Sequence, residues 1–354
     1  MTSSGIRVNF PLFEWRDIGI KEQLGSGTFG SVYLVNYEKE EQNVIVKKMK
    51  EESTDAKRRF EKEAAILNTV KGHRNVGEFL QFCQEPYAIM MEYSCFDFRF
   101  LEVDKKVSSL EDFIHFIDAE FEFELCARDV VTGLHYLHSH NIAHRDLKLG
   151  NTLVSNQHYI TMDGDWAKVY AACPIVCKLA DFGLSRSPDM QTTSFLQTRT
   201  ESTCRGTPVF MAPEIYLENL RFAGQEDLKK ADIWSLGLMM FAIINPNLTH
   251  PYSDEFERSG ISFSDKALTD FLKRQELPCH DNKYEYIRIT QWWQIKLGRL
   301  CFHFLYDDIL LFFFVVHQIH RGKRLTSKLF FYTYISPFEK QKINRRFSFF
   351  HETR

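Results

Sequence analysis

Three glycines constrain this chain more than any other feature. Gly25, Gly27 and Gly30, in the run Gly25-Ser-Gly27-Thr-Phe-Gly30-Ser-Val32, separate two strand-like stretches, Ile18–Leu24 and Ser31–Val35. A G-x-G-x-x-G motif that passes from a strand into a helix suits a dinucleotide fold, because the helix N-terminus receives the pyrophosphate. Here the loop leads from strand to strand, no helix follows and no βαβ unit is visible. Taken alone, the run reads as an ordinary glycine hairpin or as a loop laid over a ligand.

The pattern around the glycines belongs to an α+β chain. Val44–Lys47 predicts a further short strand, and Asp55–Val70 carries Phe60, Ala64 and Leu67 on one face at helical spacing. A run of short strands that includes Tyr87–Glu92 closes a small β-rich lobe. After Phe113 the spacing becomes helical. Ala119–His140 predicts one long amphipathic helix, and Asp232–Ile244 a second, so apolar that burial is expected. A β-rich lobe followed by a larger helical lobe implies a cleft between them, where ligands commonly bind. No internal repeat is visible.

Residues suited to phosphate chemistry follow in order. Lys47 ends Val44-Ile-Val-Lys47, and Glu63 lies on the next helix, so a strand lysine can be held by a helix carboxylate. His144-Arg-Asp146-Leu-Lys148-Leu-Gly-Asn151 is followed by Asp181-Phe-Gly183. Phosphoryl transfer needs a carboxylate near the attacking hydroxyl and oxygen ligands for Mg²⁺. Asp146 can serve as the first, and Asn151 and Asp181 as the second. Downstream stand Gly206-Thr207-Pro-Val-Phe-Met-Ala212-Pro213-Glu214 and Asp232-Ile-Trp234-Ser-Leu-Gly237.

Six motifs in this order resemble the signature set of the eukaryotic protein kinases, over about residues 17–298. The resemblance implies a bilobal protein-kinase-like fold: a small β-rich N-lobe over about 17–92 and a larger helical C-lobe over about 93–298, preceded by an extension at 1–16. It implies ATP and Mg²⁺ as cofactors. Leu24, Gly25, Gly27, Gly30, Val32, Lys47, Met91, Glu92 and Leu153 would then line the nucleotide site, with Met91-Glu92 as gatekeeper and start of the hinge. Lys47 would hold the α- and β-phosphates and pair with Glu63. Asp146 would take the hydroxyl proton, Lys148 would meet the γ-phosphate, and Asn151 and Asp181 would bind Mg²⁺. Lys148 and Thr207 look like the serine/threonine pattern, so the implied partner is a protein bearing Ser or Thr. Arg145 and the hydroxyl-rich stretch 185–207 suggest control by an upstream kinase that phosphorylates this loop; the other reading is a polar loop without a switch.

Departures from the family pattern keep a second reading open, a weak pseudokinase acting as a nucleotide-binding scaffold or interaction module. Ile45 stands where the family usually has Ala above the adenine ring. Asp181 follows Asn151 by 30 positions, about twice the usual spacing, which predicts an exposed insertion at about 158–174, either a docking loop or a tolerated one. Glu214 lacks the usual late arginine partner, for the chain has no Asp-Pro; Arg288 and Arg299 are candidates. Residues 299–354 form an atypical basic tail with 11 of the 32 phenylalanines, and Lys and Arg outnumber Asp and Glu there by 10 to 4. Two readings stand: a segment that touches membrane or a partner, or a gene-model artefact such as a translated intron.

Composition bounds the rest. A net charge of −3 gives no basic footprint for nucleic acid. Eight cysteines occur without a C-x-x-C pair, as expected for reduced thiols in the cytoplasm, with the nucleus left open. Met1–Phe13 lacks the pattern of a secretory signal. The longest apolar run late in the chain, Ile309–Val316, is too short to span a bilayer, so no transmembrane segment is expected.

Overall fold

A computed structural model of the chain describes residues 10–274, apart from 28–29, 38–41, 52, 118–123, 161–167, 171–172, 189–205, 218–222 and 247. All of these belong to one compact unit, Met1–Asp307. The expected tail over 299–354 and the candidate partner Arg288 lie outside the described residues.

The glycine run joins β1 (Ile18–Ser26) to β2 (Gly30–Tyr37), which pairs antiparallel with β3 (Gln42–Met49). β4 (Phe79–Gln84) and β5 (Tyr87–Glu92) complete a five-stranded sheet of order β1-β2-β3-β5-β4. Strand periodicity sorts the two faces. Val35, Tyr37, Val44, Val46, Ala88 and Met90 are buried together with Phe13. Lys47 and Ile45 alternate with Val44 and Val46, so they project from the opposite face. Phe13 is a residue of the expected N-terminal extension, yet it donates its N–H to the Phe82 carbonyl and is 4% exposed.

Helix α1 (Thr54–Val70) begins where the Ser53 side chain accepts the Ala56 N–H, a standard N-cap. Its buried stripe holds Phe60, Glu63, Ala64, Leu67 and Val70, so a carboxylate sits within an otherwise apolar face. Beyond the sheet, β6 (Phe96–Asp97) pairs with β7 (Lys106–Val107), and α2 (Leu110–Phe116) starts at the Ser109 cap. The long helix expected at Ala119–His140 is described as α3, Glu124–Ser139.

β8 (Thr152–Ser155) and β9 (Val176–Leu179) form a two-stranded hairpin. The expected insertion lies between them, and it is not simply an exposed bulge. It opens with α4 (Gln157–Ile160), in which Tyr159 is 1% exposed and donates its hydroxyl to the Pro174 carbonyl. His158 Nε2 donates to the Cys173 carbonyl, and Tyr170 meets Phe100 at 5.7 Å. Aromatic side chains thus draw both ends of the insertion onto the helical part of the molecule.

The rest is helical: α5 (Pro213–Tyr216), α6 (Gln225–Ile244), α7 (Ser253–Ser259) and α8 (Asp265–Lys273). α6 is longer than the apolar run alone suggests, because Glu226 and Asp227 supply a polar first turn and Asp227 accepts the Gly224 N–H. Ile233, Leu236, Met239, Met240 and Ile243 are all buried, as an all-round apolar helix requires.

Candidate active site

Lys47 is brought to the site by β3. Its register partners are Val32 on β2 and Ile89 on β5. From the other side α1 presents Glu63, and Lys47 Nζ lies 2.6 Å from its Oε1, both residues being buried. The same ammonium reaches Asp181 Oδ1 at 3.0 Å. Burial works against the Lys47 charge, but Glu63 and Asp181 outweigh it and hold the ammonium above the ordinary lysine range. Burial likewise pushes the Glu63 carboxyl up, opposed by Lys47. Asp181 differs. Burial would raise its carboxyl, yet Lys47 prevails and holds it below the ordinary range.

Asp181 precedes a short turn, Phe182–Leu184, and has a left-handed backbone with φ 60°. Phe182 is buried beside the His144 ring, at 5.1 Å between centroids. His144 Nε2 in turn donates to the Ala180 carbonyl at 3.0 Å. The segment before Asp146 is therefore tied to the segment before Asp181.

Asp146 is held on both oxygens. Oδ1 accepts the Thr207 N–H and the Thr207 hydroxyl, each at 2.9 Å; Oδ2 accepts Asn151 Nδ2 at 2.8 Å. Lys148 Nζ donates to Thr207 Oγ1 at 2.8 Å and lies 3.6 Å from Asp146 Oδ2. Thr207 can come this close because Gly206 adopts φ 129°; a Cβ at that position would meet the Arg145 carbonyl at 2.8 Å.

One anchor was legible only as a motif. Asp232, buried on α6, accepts the N–H groups of His144 and Arg145, both at 2.7 Å, and lies 2.9 Å from His138 Nε2. The bonds fix a backbone in which Arg145 has φ 72°. The Asp232-Ile-Trp234 run marks the residue, but not its partners 88 and 87 positions away.

Strand pairing positions most of the other expected nucleotide residues. Gly25 faces Val32 across the glycine hairpin, Met91 faces Ile45, and Leu153 faces Lys178 on β9. Gly27 donates to the Gly30 carbonyl, Leu24 is exposed, and Glu92 ends β5. Thr28 and Phe29 lie outside the described residues, as do the hydroxyls from Thr192 to Thr203. No ion pair to Glu214 forms among the described residues, where it is half-buried.

Asn151 and Asp181 fit Mg²⁺ by donor type. The Asn151 amide nitrogen is used on Asp146, which leaves the amide oxygen as a hard donor, and the half-exposed Asp181 offers a carboxylate. Among the described residues no helix is long and apolar enough to cross a membrane.

Known proteins resemble this chain in sequence. The chain is 33% identical over 234 residues to serine/threonine-protein kinase 4 homolog B of Dictyostelium discoideum, covering 66% of this chain and 18% of that protein. It is 28% identical over 240 residues to serine/threonine-protein kinase CTR1 of Arabidopsis thaliana, covering 65% and 24%. With mitogen-activated protein kinase kinase kinase zak-1 of Caenorhabditis elegans it shares 27% over 276 residues, covering 72% and 30%. The chain thus spans less than a third of the length of each of these relatives. The profile described as "Protein kinase domain" matches residues 18–289, most of the sequence, and with it the chain belongs to the protein kinase family.

Proposed function

We propose that this chain transfers the γ-phosphate of ATP to a serine or threonine hydroxyl of a protein substrate. The observation that carries the reading is the two-sided grip on Asp146, by Thr207 on one oxygen and Asn151 on the other, with Lys148 beside both. A carboxylate so fixed has one lone-pair direction to offer a hydroxyl, and pre-set orientation is a large part of catalysis in this reaction class.

In this reading the substrate oxygen attacks the γ-phosphorus, the bond to the β-phosphate oxygen breaks, ADP leaves and the hydroxyl proton passes to Asp146. Lys148 meets the charge that builds on the transferred group. Lys47 orients the α- and β-phosphates and is itself held by Glu63. Asn151 and Asp181 hold Mg²⁺, which when bound neutralises phosphate charge. The glycine hairpin covers the phosphates, while Leu24, Val32 and Leu153 enclose the base and Met91-Glu92 offer backbone groups.

The test compares wild type with Asp146→Asn for transfer of labelled γ-phosphate from Mg-ATP to a generic basic protein. The expected result is transfer in the wild type, a loss of roughly 10²- to 10⁴-fold in the variant, and label on serine or threonine. A folded wild type that transfers nothing would leave the scaffold reading, which one observation favours: Ile45 is half-buried opposite Met91, and in this reading its bulk would narrow the base site.

The same reading extends to control. Phosphorylation between Thr198 and Thr203 by an upstream kinase would place a dianion within reach of Arg145 and raise activity. Replacing Thr198, Thr200, Ser202 and Thr203 together with Ala is expected to lower transfer; unchanged transfer would remove the proposal.

A further inference from the structure

The ion pair between Lys178 and Glu92 has no part in the steps above. Glu92 is the last residue of β5, and Lys178 lies on β9, three positions before Asp181. Lys178 Nζ is 2.6 Å from each carboxylate oxygen of Glu92, and the two side chains are 17% and 27% exposed. The carboxylate has a second anchor, because its Oε1 accepts the Glu78 N–H at 3.0 Å, while the Glu92 N–H donates to the Glu78 carbonyl at 3.1 Å.

β9 is anchored too. The Leu179 N–H donates to the Asn75 carbonyl at 3.0 Å, and the Gly77 N–H to the Leu179 carbonyl at 2.9 Å. Both ends of the ion pair therefore stand on fixed backbone. Lys178 is also the register partner of Leu153, and Glu92 follows Met91. The pair thus spans from the strand end beside Met91 to the hairpin that carries Leu153 and leads to Asp181.

We propose that the Lys178–Glu92 pair sets the width of the nucleotide-base site, which makes Lys178 a positioning residue for nucleotide affinity. The inference rests on reading this cleft as the nucleotide site. Removing the ammonium leaves the Glu92 carboxylate to the Glu78 N–H alone and takes away the side-chain tie between the end of β5 and β9, so that only the backbone bonds through Asn75–Glu78 resist a shift of one from the other. Such a shift weakens ground state and transition state alike, so it raises KM and leaves kcat in place.

The test uses the full chain and three variants: Lys178→Met, which keeps the aliphatic stem, Lys178→Glu, and the exchanged pair Lys178→Glu with Glu92→Lys. Mg-ADP affinity is measured by calorimetry, and KM for ATP and kcat by phosphate transfer. Lys178→Met is expected to weaken Mg-ADP binding and raise KM by roughly three- to tenfold, the range for a partly buried pair, with kcat within about twofold. The exchanged pair is expected to bind Mg-ADP more tightly than Lys178→Glu alone. Unchanged affinity in folded Lys178→Met overturns the inference, and so does a fall in kcat without a change in affinity. If Lys178→Met does not melt cooperatively, the exchanged pair decides, and a folded exchanged pair without recovered affinity overturns it. A wild type that binds no Mg-ADP also overturns it. One that binds Mg-ADP yet transfers no phosphate defeats the transfer reading alone, and the affinities still decide this one.

Discussion

Asp97 illustrates how a single residue couples charge to fold. It is buried at the point where the chain leaves the five-stranded sheet, and Asn156 grips it through reciprocal bonds, donating to the Asp97 carbonyl and accepting the Asp97 N–H, both at 2.9 Å. Burial alone would raise its carboxyl, but hydrogen bonds from Arg99 and Lys106 prevail and hold it down to about 2 from an ordinary 3.8. A carboxylate depressed by folding stabilises the protein above its unfolded pKa and loses that contribution as pH falls through the folded one. Asp97→Asn is therefore expected to lose less of its urea midpoint than wild type as pH drops from 3.8 to about 2. Equal losses in the two proteins would show that Asp97 is not the titrating group. Asp181, held below the ordinary range by Lys47, follows the same logic, whereas the buried Glu63, pushed up by burial, does not.

At the scale of elements, α3 and the segment Asn75–Gly77 approach each other closely. Gly133 on α3 makes this possible, for a Cβ there would lie 2.5 Å from the Asn75 carbonyl oxygen and 3.3 Å from Leu179 Cδ1. Backbone cannot yield as a flexible side chain can. Gly133→Ala is expected to cost about 1–3 kcal/mol through overpacking, even though alanine is the better helix former. Equilibrium urea unfolding measures this, and a stabilised variant would show that the gap closes without strain. β9, whose Leu179 side chain would meet that Cβ, carries Lys178 and leads into Asp181, so the same variant should also weaken Mg-ADP binding.

For the whole molecule, the site exists only where separate parts meet. Lys47 comes from the sheet, Glu63 from α1, Asp146 and Asn151 from the segment before β8, and Asp181 from the segment after β9. A ligand that binds this assembly and not the unfolded chain must stabilise it by mass action. Mg-ADP at 100 times its Kd is expected to add about 2.7 kcal/mol, read as a higher unfolding midpoint. The Mg²⁺-dependent part of that gain should vanish in Asp181→Asn. No shift with Mg-ADP in a folded wild type would count against the nucleotide reading as a whole.

The sequence by itself determined the element types and the chemistry-bearing residues. Glycine runs, alternating strands and the His144–Asn151 and Asp181–Gly183 stretches depend on neighbours close in the chain, where spacing dictates geometry. Helix starts shifted by a few residues because they are set by capping bonds, such as those that Ser53 and Asp227 accept, which spacing alone does not reveal. Only the tertiary structure decided which distant groups meet. Asp232 holds the backbone before Asp146, Lys178 finds Glu92 across 86 positions, and Phe13 and Tyr159 are buried although their segments read as peripheral. Each of these depends on how an element docks once apolar faces have been removed from water, and that docking is settled by the sum of many weak contacts rather than by any local run of residues.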